Sequence, residues 1–421
     1  MTGYCAIDFG TTNSAVALPG RGATRIAEIE PGYRTIPTAI FYHEENNSRS
    51  FGRPAIAAYV DGHDGRLMRS IKSILGSDLM ERETEVGPGV CVRYLDVVIG
   101  FLRHLKTVAE AQHGSPLEQV VLGRPVFFVD DDPVRDARAQ TALELAAHSV
   151  GFSNVVFQYE PIAAALDFEA TVTSEQLVLV VDIGGGTSDF CLVRVGPQHR
   201  RRIDRKNDIL ANHGVHTAGT DFDRRVELAS ILQELGYKAQ GPDGREVPSA
   251  TYFDLATWHL INTVYTPARV SDMRLMRYFY ADETYHRRLM KVVTERLGHE
   301  LVARAEAAKI AVAAGGETTI DLGCIEPGLS RAFDEQALVI SVEEEVSRIV
   351  AAARETVRLS GISAERVNAL YFTGGSTGLR FLSDKLGSYF PEARLVRGDR
   401  FASVASGLGI HASRLYDVCA E

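Results

Sequence analysis

No Gly-Lys dipeptide occurs anywhere in the 421 residues, which excludes a P-loop as the phosphate-binding element. No apolar run is long enough to span a bilayer, and no basic, apolar leader precedes Asp8, so the sequence predicts a cytoplasmic protein. The five cysteines (Cys5, Cys91, Cys191, Cys324 and Cys419) contain no Cys-x-x-Cys pair. That argues against a zinc site or a disulfide framework and predicts small buried hydrophobes in reducing surroundings. Positive charge is outweighed: the net charge is −10 and the pI near 5.7, which speaks against nucleic acid or an anionic membrane as the main partner. Short tandem repeats and low-complexity tails are also missing.

What is present is a chain that is 45% hydrophobic and 24% charged, long enough for two or more domains with substantial cores. Its most informative feature is a duplication. The stretch IDFGTTNS (7–14) and the stretch VDIGGGTSD (181–189) each run from an apolar strand into Asp, turn through Gly and Thr, and re-enter an apolar strand. A hairpin tip of this kind presents backbone N–H groups and Thr hydroxyls to phosphate oxygens, with Asp8 or Asp182 facing a metal ion. Glycine lets the backbone approach the phosphates closely. One such Asp-Gly turn is commonplace, but one in each half predicts a duplicated fold that clamps a nucleoside triphosphate between lobes.

Around these turns the pattern is α/β. Apolar spacing predicts helices over 96–112, 136–150 and 162–169, and strands over 38–42, 119–124, 155–158 and 177–181. Residues 200–206 read as a solvated basic hairpin end, and 236–248 as a Gly/Pro-rich loop or insertion. One helical stretch is expected over 283–314, stopping at Gly315-Gly316. Ser341 with Glu344 reads as a capping box for a helix to about Ser360. A strand over 369–372 then meets TGGSTG (373–378), and a helical tract over 401–416 follows.

Taken together, IDFGTTNS, YEPIAAAL (159–166), DIGGGTSD and TGGST resemble, in order and spacing, the ATP-site motifs of the heat-shock protein 70 family. The likeness spans nearly the whole chain but is patchy over 200–298, and the tract DLATWHLINTVY (254–265) is similar to the family's stand-alone YegD-like branch. The resemblance implies an actin-like ATPase fold of two duplicated, ribonuclease-H-like lobes with a helical insertion in lobe II. It places lobe I at 1–170 plus a C-terminal helix at 401–421, and lobe II at 171–400 with the helical subdomain at 222–320. It also implies ATP or ADP and Mg²⁺ as ligands, the metal held by Asp8 and Asp182. Gly10, Thr11, Thr12, Asn13, Gly184, Gly185, Gly186 and Thr187 would line the β- and γ-phosphates. Glu160 and Asp182 would orient the attacking water, and Lys72, one of only seven lysines, would polarise it. Gly219, Gly374, Gly375 and Ser376 would complete the phosphate side, with Glu306 and Lys309 toward adenosine. By spacing alone, Glu306 and Lys309 could equally form a solvated ion pair.

Three departures from the family pattern stand out. Gly378 follows GGST where the family has an Arg that stacks on adenine, with Arg380 two residues on. Ala313 stands where a small hydroxyl residue often binds the base. Extra acidic residues after Pro125 leave the phosphate-side Arg as Arg135, Arg138 or absent. A Gly374-x-Ser376-x-Gly378 nucleophile elbow, with Asp399 and His411 following in hydrolase order, is a minor rival reading that leaves both hairpins unexplained. The expected function is a slowly hydrolysing, chaperone-like ATP switch without a peptide-binding domain. A carbohydrate kinase, an actin-like filament protein and a nucleotide-binding scaffold without turnover are the alternatives. A protein partner is expected at 200–298, where Tyr252, Phe253, Trp258, Tyr265, Tyr278, Phe279 and Tyr280 cluster. Most of these should fill a core and a minority should be exposed.

Overall fold

The computed structural model describes residues 3–20, 24–129, 132–200, 202–258, 260–398 and 402–417. Two mixed sheets organise it. In the first, strands Gly3–Phe9 and Asn13–Leu18 form the expected hairpin, Ile7 opposite Val16 and Asp8 opposite Ala15. Gly3–Phe9 pairs on its other side, in parallel, with Leu117–Arg124, which in turn pairs with Asn154–Tyr159. The second sheet repeats this plan. Strands Gln176–Ile183 and Ser188–Val195 form a hairpin that sets Asp182 opposite Asp189, and Gln176–Ile183 pairs in parallel with Ala369–Thr373. Arg394–Arg397 and Ile209–Val215 are the edges. In both sheets the Asp-bearing strand is central and buried on both faces, which is why its sequence reads as a continuous apolar run ending in a polar tip.

Helices Glu160–Thr171 and Ser403–Tyr416 cross between the sheets and share one core with both: Ala6 and Val121 from the first, Val178, Val180 and Val193 from the second. The crossing is close enough that a Cβ on Gly407 would stand 1.9 Å from Ala163 O. Helices Tyr94–His113 and Pro133–Ser149 cover the outer face of the first sheet through Val97, Phe101, Leu102, Leu105 and Leu143. The second sheet's outer core extends into the helices of 219–311 through Phe222, Tyr252, Leu289 and Leu301.

Several expectations needed correcting. The stretch 283–314 is two helices, Glu283–Thr294 and Gly298–Ala311, broken where Arg296 takes a positive φ of 54°. The Ser341–Glu344 capping box does not form. Ser341 ends the short helix Glu335–Ser341 with its hydroxyl donating to Ala337 O, and Glu344 is drawn to Arg225. The basic loop is not simply solvated: Arg205 is 2% exposed and bridges Glu169 and Asp208, both buried. His199 joins the same network, its ring nitrogens 2.9 Å from Asp208 Oδ1 and 3.1 Å from Glu175 Oε2. Cys5 and Cys191 are buried as expected, but Cys91 is exposed and Cys324 half-buried; Cys419 lies outside the described residues. No helix among the described residues is long and apolar enough to cross a membrane.

Candidate functional site

The two hairpin tips converge. A Cβ on Gly185 would lie 2.9 Å from Thr12 Cγ2, so the second turn rests against the first, and a side chain there would have to displace Thr12. The first turn is braced by Thr38, whose N–H donates to Thr12 O at 2.8 Å and whose hydroxyl donates to Gly10 O at 2.8 Å. Gly10 itself has no room for a side chain, since its Cβ would overlap Asn13 O. In the second turn Gly184 N–H donates to Thr187 O, and the Thr187 hydroxyl donates to Asp189.

A third and a fourth loop lock onto the second turn. Gly219 N–H donates to Gly184 O, and Thr220 donates to Gly185 O through both its N–H (2.8 Å) and its hydroxyl (2.7 Å). Ser376 Oγ donates to Gly184 O at 2.9 Å. Gly374, at φ +87°, lies so close that a Cβ would be 2.4 Å from Ile183 O and 2.5 Å from Asp182 Oδ1. Gly375 opens the following 3-10 turn, Gly375–Gly378. Thus Gly184 and Gly185, Gly219, and Gly374 with Ser376, from three loops far apart in sequence, form one floor.

Beneath that floor the charged groups meet. Lys72, on the 3-10 turn Ile71–Ile74, is 8% exposed and donates to Glu160 Oε1 at 2.6 Å. Glu160 opens the crossing helix Glu160–Thr171, with Pro161 pre-set for its first turn. Burial, then Glu160, with Asp182 adding less, holds the Asp8 carboxyl well above the usual range, against the pull of Lys72. Burial, then Asp189 and Glu160, pushes Asp182 up to about 7. Three carboxyls from both halves of the chain therefore face one ammonium. Among the described residues no group of three His, Cys, Asp or Glu side chains is placed to chelate a metal by itself.

Glu306 and Lys309 do not pair with each other. Lys309, 7% exposed, bridges Asp223 at 2.6 Å, while Glu306 is exposed. Burial pushes Asp223 up to about 6 despite that lysine. Arg380 returns to this region: its N–H donates to Ala313 O, and its guanidinium is held by both oxygens of Glu335 beside Gly315. Arg135 and Arg138 bind Gly76 O and Asp78, in the loop that carries Lys72. The hydrolase elbow finds no dyad, because Ser376 donates to a backbone carbonyl while His411 Nδ1 faces Gln158; Asp399 lies outside the described residues.

Sequence reasoning missed Asp189 and Thr38. Asp189 closes the repeated motif directly across the hairpin from Asp182, so strand register alone could have found it. Thr38 offered no local signal, since its role comes from a tertiary contact. Also unforeseen was a joint at 59–69 and 258–299. Trp258 stacks on Tyr59 (4.9 Å, 30°), His299 packs edge-on to both, and the Arg69 guanidinium lies 4.2 Å from the Trp258 ring centre.

The family model described as "Hsp70 protein" matches residues 95–246. The chain is 31% identical over 296 residues to "Chaperone protein HscA homolog" of Laribacter hongkongensis, a match covering 64% of this chain and 45% of that protein. It is 24% identical over 431 residues to the HscA homolog of Actinobacillus pleuropneumoniae serotype 5b and 25% identical over 426 residues to that of Aromatoleum aromaticum. Those two matches each cover 97% of this chain and 57% of the relative, so the chain spans about half the length of the curated relatives it matches. In its paired hairpin turns and crossing helices, as in its sequence, the chain is similar to the heat-shock protein 70 family and matches that family's actin-like ATPase fold.

Proposed function

We propose that the chain is a slow, Mg²⁺-dependent ATPase acting as a chaperone-like nucleotide switch. The observation that supports this most directly is the meeting of the two Gly-Thr turns, Thr12 against Gly185, beside Asp8, Glu160, Asp182 and Lys72. In this reading Gly10, Thr11, Thr12 and Asn13 receive phosphate oxygens from one side, and Gly184, Gly185, Gly186 and Thr187 from the other. Gly219, Gly374, Gly375 and Ser376 keep the floor flat enough for the backbone to approach.

The carboxyl-rich wall suits a divalent cation. Burial and the neighbouring carboxylates raise Asp8 and Asp182 more than Lys72 lowers them, and a cation would offset that cost. Asp8 and Asp182 would hold Mg²⁺ mostly through its waters, as that ion prefers. When bound, it neutralises charge on the phosphates. Glu160 and Asp182 accept hydrogen bonds from the attacking water, and Lys72, fixed by Glu160, polarises it. Transfer to water needs such positioning more than a reactive side-chain nucleophile. On the nucleoside side Glu306 is free to accept from ribose hydroxyls, while Lys309 is braced by Asp223. Without an Arg after GGST, the base is held less selectively, and Arg380 beside Ala313 is the nearest guanidinium in sequence.

Residues 1–170 with 401–421 and residues 171–400 would move as two bodies about the crossing helices. The relatives are named as chaperones, and a protein partner reading the closed state follows from that kinship. Turnover assays combined with calorimetric binding of ATP and ADP test the reading. Lys72→Ala and Asp182→Asn should each reduce turnover by orders of magnitude while leaving nucleotide affinity little changed. Wild-type hydrolysis by both variants ends the assignment.

A further inference from the structure

The helix Pro267–Leu275 runs into the 3-10 turn Met276–Phe279 and is apolar on two faces. One face is internal: Met273 and Tyr280 are 1% and 3% exposed, and Met276 packs on the same core. The other faces solvent with Leu275, Tyr278 and Phe279, which are 63%, 72% and 51% exposed. Their i, i+3, i+4 spacing places them together on one turn. Other large exposed apolar side chains of the second half, such as Leu359 and Leu395, are scattered and need no partner.

The turn is held firmly from behind. His286 Nε2 is 2.9 Å from Met273 O, and the loop at Gly241 is so close that a Cβ there would stand 2.6 Å from Phe279 O. Presenting this patch therefore requires no rearrangement.

Its border is basic. Arg274 is exposed and makes no ion pair among the described residues. Arg277 lies 5.4 Å from the Tyr278 ring and reaches only the exposed Glu283, at 3.6 Å. Asp272 is the one acidic residue within the helix and turn. Arg287 and Arg288, nearby in sequence, are taken up by Glu326 and Glu234, so the cations that border the patch are Arg274 and Arg277. An unpaired guanidinium beside an apolar patch, on a protein of net charge −10, favours acidic partners at that place.

We infer that Leu275, Tyr278 and Phe279, framed by Arg274 and Arg277, form a docking surface for an acidic amphipathic helix of a partner protein. Apolar side chains one turn apart on the partner cover the aromatic patch, and its flanking carboxylates meet the two guanidinium groups. The inference does not rest on the nucleotide reading, and its test needs no nucleotide.

The probe is a fluorescein-labelled synthetic helix of about five turns, with Leu on one face and Glu on the other. A twin peptide carries Gln in place of every Glu. Anisotropy titrations of the full chain should show saturable binding of the acidic peptide and about tenfold weaker binding of its twin, a difference of about 1.4 kcal/mol. Arg274→Glu with Arg277→Glu, and separately Leu275→Ser with Tyr278→Ser, should each weaken the acidic peptide by about tenfold or more. All four positions are exposed, so circular dichroism should show unchanged folding. Hydrogen-exchange protection by the peptide should centre on 273–280. Equal binding of the two peptides, indifference of both double variants, or protection elsewhere overturns the inference. So does a dimer in sedimentation velocity that Leu275→Ser abolishes, since the patch would then be covered by a second copy of this chain.

Discussion

Glu227 is the residue whose environment least suits its chemistry. It is fully buried, sits in the π-helical turn Glu227–Ile231, and neither carboxyl oxygen has a hydrogen-bond partner among the described residues. Burial, then the neighbouring Asp223, raises its pKa far above the ordinary value of 4.5. Folding therefore retains a proton that the unfolded chain releases. Stability from that proton is fully present below about pH 4.5 and is lost as pH rises toward the folded value. Glu227→Leu removes the penalty and should stabilise the protein at pH 7 by about 1–3 kcal/mol, as replacing an unsatisfied buried polar group does. Urea unfolding of both proteins should show the gap widening from pH 4.5 to 7. A less stable leucine variant at pH 7 would mean that Glu227 has a stabilising partner. Nothing in the sequence marked this position, because a lone Glu between Val226 and Leu228 reads as the polar edge of an amphipathic helix until the helix is packed.

At the scale of elements, legibility followed locality. Both Asp-bearing hairpins, the helix ending at Gly114 and the TGGSTG turn were readable because each is encoded by a contiguous pattern of apolar residues and glycines. The misreadings came where a distant residue outcompeted a local rule. Glu344 was drawn to Arg225, so the Ser341 box never closes. Arg205 found Glu169 and Asp208, so a run of basic residues that looked solvated is partly buried. In the site the structure brings Asp8, Asp182, Lys72 and Glu160 together, while the Lys309–Asp223 pair joins two helices and no spacing rule foretold it. The buried loop has a measurable consequence. Arg205→Met leaves Glu169 and Asp208 without their shared cation and should cost about 3–5 kcal/mol in chemical denaturation. A truly solvated loop would lose less than about 0.5 kcal/mol.

At the scale of the molecule, the halves of the chain meet, among other places, at the crossing helices, the facing turns, and the joint of Tyr59 and Arg69 with Trp258 and His299. The last is built from ring faces and one guanidinium, contacts that are individually modest and therefore reversible. Trp258 is the sole tryptophan, so fluorescence excited at the red edge, where tyrosine does not absorb, reports this joint. Nucleotide that draws the halves together or apart should shift its emission. Tyr59→Ala should blunt that shift and speed release of a fluorescent ADP analogue in stopped flow. Unchanged emission together with unchanged release would show that the joint stays shut throughout the cycle.

The contact between Thr12 and Gly185 also orders events in time. On the proposed nucleotide reading, a triphosphate seated between these turns would have to wait for a parting of the halves. Its arrival would then have a speed limit: beyond some nucleotide concentration, adding more would no longer quicken binding, which stopped-flow titration with a fluorescent ATP analogue would reveal as a plateau.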